Sequence, residues 1–307
     1  MAVPRSGLSF GHTAGARYGT ISPMRKSLKV FTEPNKLQKW CAARRQAGAK
    51  VALVPTMGYL HEGHLSLIAA AKKNGADEIV VSVFVNPVQF GPNEDYEKYP
   101  RDEKADLAKC RAAGATAVFF PTPANMYLDG HSTYITEETL AAGLCGARRP
   151  GHFRGVCTVV AKLFNLVHPH LAVFGQKDFQ QAAVIKRMVR DLNFDLKIVV
   201  APIVREPSGL ARSSRNTYLS DDERSRAVAL SASLRQAKAD VAAKGTIPWR
   251  AYRAKIARAL EKAGLKVDYV EAVDAETLVP VTTLGKGAAV LLAVWCGKTR
   301  LIDNAIM

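Results

Sequence analysis

The sequence lacks a segment long and apolar enough to span a membrane, and its cysteines show no recognisable pairing pattern. No apolar run in the 307 residues approaches the roughly 20 residues of a membrane helix, and no apolar core of a secretory signal is present. The five cysteines form no C-x-x-C pair and no other metal-ligand spacing. We interpret them as reduced thiols, and we therefore expect a cytoplasmic protein with no membrane partner.

Two common catalytic signatures are missing as well. The chain contains neither the G-x-x-x-x-G-K-[ST] loop of P-loop enzymes nor the G-x-S-x-G turn that carries an activated serine. Acidic residues are absent from the first 32 positions, but the net charge of +16 is otherwise spread along the chain. Diffuse charge without interleaved aromatic residues does not favour nucleic-acid binding, and it suits anionic small substrates equally well.

Short apolar segments alternate with helical patterns in the first two thirds of the chain. We predict strands over 51–54, 79–85, 117–120, 171–175 and 197–204, and helices over 34–47, 65–74, 102–113, 157–167 and 178–192. This alternation is typical of a parallel sheet covered by helices on both faces. The expected fold class is α/β, with a Rossmann-like doubly wound sheet that binds ligands at the carboxyl ends of its strands.

The pattern changes after residue 204. Ser220 and Glu223 have the spacing of a capping box, which opens a long helix to about residue 243. A second helix over 249–263 and strands over 267–273, 288–295 and 300–303 follow. We therefore expect a Rossmann-like domain over 25–203 and a smaller α+β domain over 204–307. Residues 1–24 lack apolar periodicity, so we expect a disordered extension there.

The segment from Val51 to His64 predicts an anion site. An apolar strand ends at Pro55 and Gly58, and two histidines then flank a glycine where a helical pattern begins. Free backbone N–H groups and the positive end of the helix dipole favour a polyphosphate there. The alternative is two surface histidines in a loop, which the strand-turn-helix setting disfavours. A zinc site is also disfavoured, because this H-x-x-H pattern has no evident third ligand.

Polar side chains follow two other predicted strands. Asn86 and Gln89 come after the second strand, where neutral amides would suit a hydroxy acid. Lys177, with Gln181 one turn further along, follows strand 171–175 and offers a charge for phosphate. An Asn-Pro turn and a capped, solvated helix end are the alternatives for these two clusters.

A third basic segment joins the two predicted domains. Ser213 and Ser214 lie between Arg212 and Arg215, which suits a mobile clamp on a polyphosphate as well as a solvated linker. His152 lies in a basic segment that we interpret as a loop with a structural role. Since no activated nucleophile is evident, the three phosphate-friendly segments favour a reaction in which bound substrates react with each other.

Five ordered motifs make the chain resemble the pantothenate synthetase (pantoate–beta-alanine ligase) family of the nucleotidyltransferase superfamily, with its HIGH-type motif. They are Pro55-Thr-Met-Gly-x-Leu-His-Glu-Gly-His64, Phe84-Val-Asn-Pro-Val-Gln-Phe-Gly91, Gly151-His-Phe-Arg-Gly-Val156, Phe174-Gly-Gln-Lys-Asp-Phe-Gln-Gln181 and Ser213-Ser-Arg-Asn216. The resemblance implies ATP-dependent condensation of D-pantoate with beta-alanine through a pantoyl adenylate, with release of AMP and pyrophosphate. It also implies Mg²⁺ accompanying ATP and a homodimer. Another nucleotidyltransferase, such as a cytidylyltransferase, and a non-catalytic nucleic-acid-binding protein are the alternatives.

The resemblance also implies roles for individual residues. His61, His64, Lys177 and Arg215 would be catalytic, with His64 in the family's proton-donor position, and no protein ligand is assigned to the metal. Gln89 and Gln181 would bind pantoate, with Gln89 also near beta-alanine and with Asn86 and Met57 at the same substrate site. The ATP site would comprise Met57, Gly58, His61, Gly63, His64, Gly175, Lys177, Asp178, Val204, Ser213, Ser214 and Arg215. Arg212 departs from the family, which usually has Met or Leu against the adenine, and Gln176 replaces a frequent Glu.

Overall fold

The first part of the chain forms a six-stranded parallel sheet. The computed structural model describes residues 1–2, 27–92 and 94–307, so the predicted extension over 1–24 lies outside the described residues except for its first two. The strands are β1 (Lys29–Phe31), β2 (Val51–Thr56), β3 (Glu78–Val83), β4 (Ala117–Phe119), β5 (Leu171–Gly175) and β6 (Lys197–Ala201). Their order across the sheet is β1-β4-β3-β2-β5-β6, and all neighbours are parallel.

Helices cover both faces of this sheet. They are α1 (Pro34–Gln46), α2 (Glu62–Lys73), α3 (Glu103–Ala113), α4 (Pro123–Met126), α5 (Leu144–Arg148), α6 (His152–Val167) and α7 (Phe179–Asp191). One apolar cluster packs α1 and α6 against one face, and another packs α2 against the opposite face. The predicted α/β class is confirmed. The chain runs outward from β2 through β3 to β4 and then returns to β5 on the other side, which makes a ligand-binding crevice at the carboxyl ends of β2 and β5.

The C-terminal elements form an antiparallel sheet with two helices. They are α8 (Asp221–Lys244), β7 (Ile247–Pro248), α9 (Trp249–Lys262), β8 (Lys266–Asp274), β9 (Thr283–Leu284), β10 (Ala288–Cys296) and β11 (Thr299–Ile306). The sheet has the order β11-β10-β8, while β7 and β9 form a separate pair. The predicted capping box is present, because Ser220 and Glu223 each accept a hydrogen bond from the other's backbone N–H. The predicted boundary between 203 and 204 stays a prediction.

Two helices begin earlier than predicted, and glycine explains both errors. Helix α2 starts at Glu62, three residues before the predicted start, although Gly63 lies in its first turn. Helix α6 starts at His152, five residues early, with Gly155 inside it. A Cβ on Gly155 would lie only 2.6 Å from the backbone N and Cα of Gln89, so glycine is needed there for close packing of α6 and not for a turn.

The sequence predicts neither a membrane-spanning helix nor a disulfide bond. Among the described residues, no helix has both the length and the apolar character needed to cross a bilayer. All five cysteines are free and buried. Cys157 belongs to the apolar cluster between α6 and the sheet.

Candidate active site

The crevice between β2 and β5 holds a cavity of about 210 Å³. Nearly all of the predicted site residues line it: Met57, His61, Gly63, His64, Asn86, Gln89, Gly175, Lys177, Asp178, Gln181, Val204, Ser213, Ser214 and Arg215. A larger cavity of about 850 Å³ adjoins the first, shares Lys177 and Arg215 with it, and extends to β10 and β11. Four segments that are distant in the sequence, over 57–64, 86–89, 175–181 and 204–215, therefore face one connected space.

The remaining predicted residue, Gly58, shapes the turn that leads into the cavity. Its φ is +84°, and a Cβ there would lie 2.8 Å from the Val83 side chain. The backbone N–H groups of Tyr59 and Leu60 both donate to the buried carboxylate of Asp106, at 2.8 and 2.7 Å. Burial raises the pKa of Asp106, while these two hydrogen bonds oppose the rise. Asp106 holds the turn that presents the histidines, and the sequence reasoning missed it.

His61 and His64 cap the start of α2 reciprocally. The Gly63 N–H donates to Nδ1 of His61 at 3.1 Å, and the His61 N–H donates to Nδ1 of His64 at 3.2 Å. A neutral imidazole that accepts at Nδ1 carries its proton on Nε2. The two rings lie 4.1 Å apart, measured between their centroids. Both histidines can therefore offer an Nε2–H donor, and His61 does so from the N-cap position instead of from the helix.

The surroundings keep both imidazoles neutral. Burial lowers the pKa of His61 to about 4, and the charge of Lys177 adds to the effect. Burial also lowers the pKa of His64 well below its ordinary value, with further contributions from His61 and Lys177. At neutral pH the two rings are hydrogen-bond donors without charge, at the N-terminus of a helix.

We expect acid to destabilise the ligand-free protein between pH 6.5 and about 4. Because the folded-state pKa of His61 lies below its ordinary value, the unfolded chain binds more protons in this range, and stability falls as the pH falls. The shift corresponds to at most roughly 3 kcal/mol for His61. Urea unfolding at several pH values measures this. His61→Asn, which keeps an acceptor for the Gly63 N–H, should flatten the dependence, and an unchanged slope would contradict the neutral assignment.

The cationic side chains of the cavity are paired with carboxylates. Lys177 lies 3.6 Å from Asp178. Arg215 donates two hydrogen bonds to Asp95, at 3.0 Å from Nε and 2.8 Å from Nη2. Burial would raise the pKa of Asp95, but the hydrogen bond and charge of Arg215 outweigh it and lower the pKa. An anion that binds to Arg215 must compete with Asp95, which the sequence reasoning did not identify.

A second arginine–carboxylate pair orders the loop around Gln89. Arg149 donates from Nε and Nη2 to Glu94, both at 2.6 Å, and its Nη1 lies 2.9 Å from Nε2 of His152. Since arginine cannot accept, His152 carries its proton on Nδ1 and donates it to the Gln89 carbonyl at 2.9 Å. Burial lowers the pKa of His152 to about 4, and Arg149 adds to this. His152 is thus buried at the start of α6, not in the loop that we predicted.

The Asn86 amide has no spare hydrogen-bonding capacity. Its Nδ2 donates to Gln89 Oε1 and to the Gly155 carbonyl, both at 3.1 Å. Its Oδ1 accepts from the Tyr127 hydroxyl at 2.7 Å and from the Val88 N–H at 3.3 Å. These four bonds fit a positioning role for Asn86, while its predicted contact with a substrate stays a prediction. Among the described residues, the Gln89 side-chain amide donates only to the Met57 sulfur at 3.1 Å, a weak acceptor that a substrate oxygen can replace.

The C-terminal part of the chain contributes supporting contacts. Asn304 of β11 donates from Nδ2 to the carbonyls of Gln176 and Lys177, both at 2.9 Å. Ser214 donates to the Tyr59 carbonyl at 3.4 Å, which ties the basic segment to the histidine turn. Arg212 lies 3.3 Å from Glu62, and also pairs with Glu206. The Asn304 contact spans 127 residues, so no local pattern could have indicated it.

The sequence profile described as Pantoate-beta-alanine ligase matches residues 29–306. A "Pantothenate synthetase" of Anaeromyxobacter dehalogenans (strain 2CP-C) is 55% identical over 285 residues, covering 91% of this chain and 98% of that protein. The corresponding protein of Myxococcus xanthus is 53% identical, covering 87% and 92%.

Solved structures of proteins with the same names also align with this chain. The pantothenate synthetase of Thermus thermophilus aligns with a TM-score of 0.80 at 43% identity, covering 91% of this chain and 99% of that one. The pantoate-beta-alanine ligase of Francisella tularensis, described as complexed with beta-gamma ATP and beta-alanine, aligns with a TM-score of 0.76 at 33% identity, covering 91% and 98%.

Proposed function

The chain belongs to the pantoate–beta-alanine ligase family, and from that premise we propose that it condenses D-pantoate with beta-alanine at the expense of ATP. The products are pantothenate, AMP and pyrophosphate. One observation carries the assignment of the site: two neutral histidines, a lysine and an arginine from three distant segments line one cavity at the crevice of the parallel sheet. This arrangement suits a polyphosphate whose charge increases as a bond to the α-phosphorus breaks.

In the first step the pantoate carboxylate attacks the α-phosphate, and pyrophosphate leaves. The neutral Nε2–H groups of His61 and His64 donate hydrogen bonds to phosphate oxygens, and the one from His64 strengthens as negative charge builds on the leaving pyrophosphate. Lys177 supplies a full charge, and Arg215 exchanges Asp95 for phosphate. Met57, Gly58 and Gly63 shape the turn around the nucleotide, and the other side of its site comprises Gly175, Asp178, Val204, Ser213 and Ser214.

In the second step the beta-alanine amine attacks the acyl carbon of the pantoyl adenylate, and AMP leaves. Gln89 and Gln181 hold pantoate, and Asn86 orients Gln89 through its Oε1. Gln89 also lies near the incoming amine. The reaction needs correct placement and exclusion of water from the acyl phosphate, so the protein acts by position and electrostatics.

Magnesium enters this scheme as part of the ATP substrate. The described residues contain no group of three or more His, Cys, Asp or Glu side chains that could hold a metal ion. The cavity wall next to the histidines is instead cationic, which suits the phosphates and not a bare cation. We therefore assign Mg²⁺ to the phosphate oxygens of ATP. We also propose that the protein is a homodimer, as the family resemblance implies.

Isotope exchange tests the proposed reaction. Labelled pyrophosphate should enter ATP only when pantoate is present, because the reversible step forms the adenylate. Complete turnover with beta-alanine should release AMP, and ADP as product would contradict the proposal. CTP is the control nucleotide: a cytidylyltransferase would use CTP, whereas this site is expected to use ATP.

A further inference from the structure

Ser82 carries a buried hydroxyl that has no hydrogen-bond partner. It lies in β3 opposite Pro55 of β2, and its side chain is 1% exposed. Within the described part of the chain, the buried side-chain atoms that lack a hydrogen-bond partner are Ser82 Oγ, His131 Nε2, Asn216 Oδ1 and Arg226 Nε, of which Arg226 Nε still pairs with Asp222 at 2.9 Å. Of these four residues, Ser82 is the one that lines the smaller cavity. An unpartnered buried hydroxyl is unfavourable, so its presence at this wall requires an explanation.

Glu78, at the start of β3, shares a face with Ser82, and the residues next to Ser82 on that face are apolar. Val80 and Phe84, two residues before and after it, belong to the apolar cluster under α6, whereas Val81 belongs to the cluster on the opposite face. Side chains alternate along a strand, so Ser82 points toward α6. Val156 and Phe84 line the same cavity. The Ser82 hydroxyl therefore lies beside apolar side chains of the cavity wall.

Two other buried hydroxyls have hydrogen-bond partners within the protein, unlike the hydroxyl of Ser82. The Thr56 hydroxyl donates to the Ser82 carbonyl at 2.7 Å. Thr158 of α6, also buried, donates to the Arg154 carbonyl at 2.7 Å and accepts from the Ile135 N–H at 3.0 Å. A hydroxyl that serves only the fold would be expected to have such partners.

We propose that Ser82 is a substrate-contacting residue, whose hydroxyl forms a hydrogen bond with a hydroxyl group of the hydroxy-acid substrate. This inference rests on the proposed function, in which that substrate is pantoate. Pantoate has a branched aliphatic body and two hydroxyl groups. The wall formed by Phe84 and Val156 fits the aliphatic body, and Ser82 provides a polar partner in the cavity that the Gln89 and Gln181 side chains also line.

Replacing Ser82 with alanine tests the proposal, because it removes the hydroxyl and leaves the volume nearly unchanged. We expect Ser82→Ala to fold with equal or higher thermal stability, since an unsatisfied buried group is lost. The Kd and KM for pantoate should rise about tenfold, as expected for the loss of one good hydrogen bond, while the Kd for ATP stays within twofold. Thr158→Val is the matched control: it should lower thermal stability and leave the pantoate Kd unchanged.

Deoxy analogues of pantoate identify the partner group. The analogue that lacks the contacted hydroxyl should bind wild type and Ser82→Ala equally, whereas the other analogue should retain the tenfold difference. Calorimetric Kd values that are equal for pantoate in wild type and Ser82→Ala would overturn the inference. Turnover by the wild type tests the proposed function separately, since wild type that binds pantoate without forming pantothenate would contradict that function and leave the Ser82 comparison intact.

Discussion

His64→Asn is expected to lower kcat by about 10²–10³-fold while the protein stays folded. The asparagine Oδ1 can take the place of Nδ1 and accept from the His61 N–H, so the start of α2 keeps its cap. The shorter side chain has no group where the Nε2–H lies. Only the donor that we assign to the phosphates is therefore removed, and the loss should appear in kcat with the pyrophosphate exchange reduced equally.

Two further variants sharpen this test. His64→Gln places an amide near the position of Nε2, so it should recover part of the rate that His64→Asn loses. His168→Asn is the control, because His168 ends α6 at a φ of +45°, a conformation that asparagine tolerates. Its kcat should equal that of the wild type. A His64→Asn enzyme with wild-type kcat would show that the Nε2–H does not act in the reaction.

Eight of the strands in the described residues could be predicted because their signal is local, whereas β1, β7 and β9, with only two or three residues each, were missed. The apolar run over 51–54 indicated both a buried strand and the crevice beyond it, although β2 continues through Pro55 to Thr56, and β5 was predicted with its observed bounds. Helix starts were predicted less well. Glycine is ambiguous in a sequence: Gly63 lies inside a helix whose cap comes from two histidines, which are uncommon capping residues.

The residues that support the site could not be predicted, because their contacts are long-range. Asp106 holds the histidine turn from 46 residues away, and Asp95 reaches Arg215 over 120 residues. A carboxylate in α3 or in a loop looks like any solvated acid until the fold places it. The site candidates were found because glycines, histidines and a lysine cluster at strand ends, whereas the groups that orient them carry no comparable pattern.

Arg215 illustrates how structure changes an interpretation. From the sequence it is a cation available to phosphate, yet its guanidinium already makes two hydrogen bonds to Asp95. Asp95 and Glu94 are adjacent, and they hold Arg215 and Arg149 respectively. This loop therefore supplies counter-ions to two arginines of the cavity. Binding of a polyphosphate would exchange one carboxylate for another anion without leaving the guanidinium uncompensated.

Gly155→Ala is expected to destabilise the protein by about 3 kcal/mol, even though alanine favours helices. Propensity alone would stabilise α6 by roughly 1 kcal/mol. The added Cβ, however, would lie 2.5 Å from the Val88 carbonyl oxygen and 2.6 Å from the backbone N and Cα of Gln89. These are backbone atoms, so they cannot rotate away, and α6 must separate from the segment that carries Gln89.

The displacement of α6 in Gly155→Ala should also weaken substrate binding. A change that only lowered stability would leave substrate binding unaltered. Asn86 donates to both the Gly155 carbonyl and Gln89 Oε1, so a shift of α6 disturbs the orientation of the Gln89 amide. At a temperature where Gly155→Ala is folded, its KM for pantoate should rise at least about tenfold, which corresponds to 1.4 kcal/mol. Gly143→Ala is the control, because a Cβ there meets no atom within 4 Å, and its unfolding free energy should change by less than about 1 kcal/mol. Greater stability of Gly155→Ala in urea unfolding would mean that the close approach of α6 to Gln89 is not required.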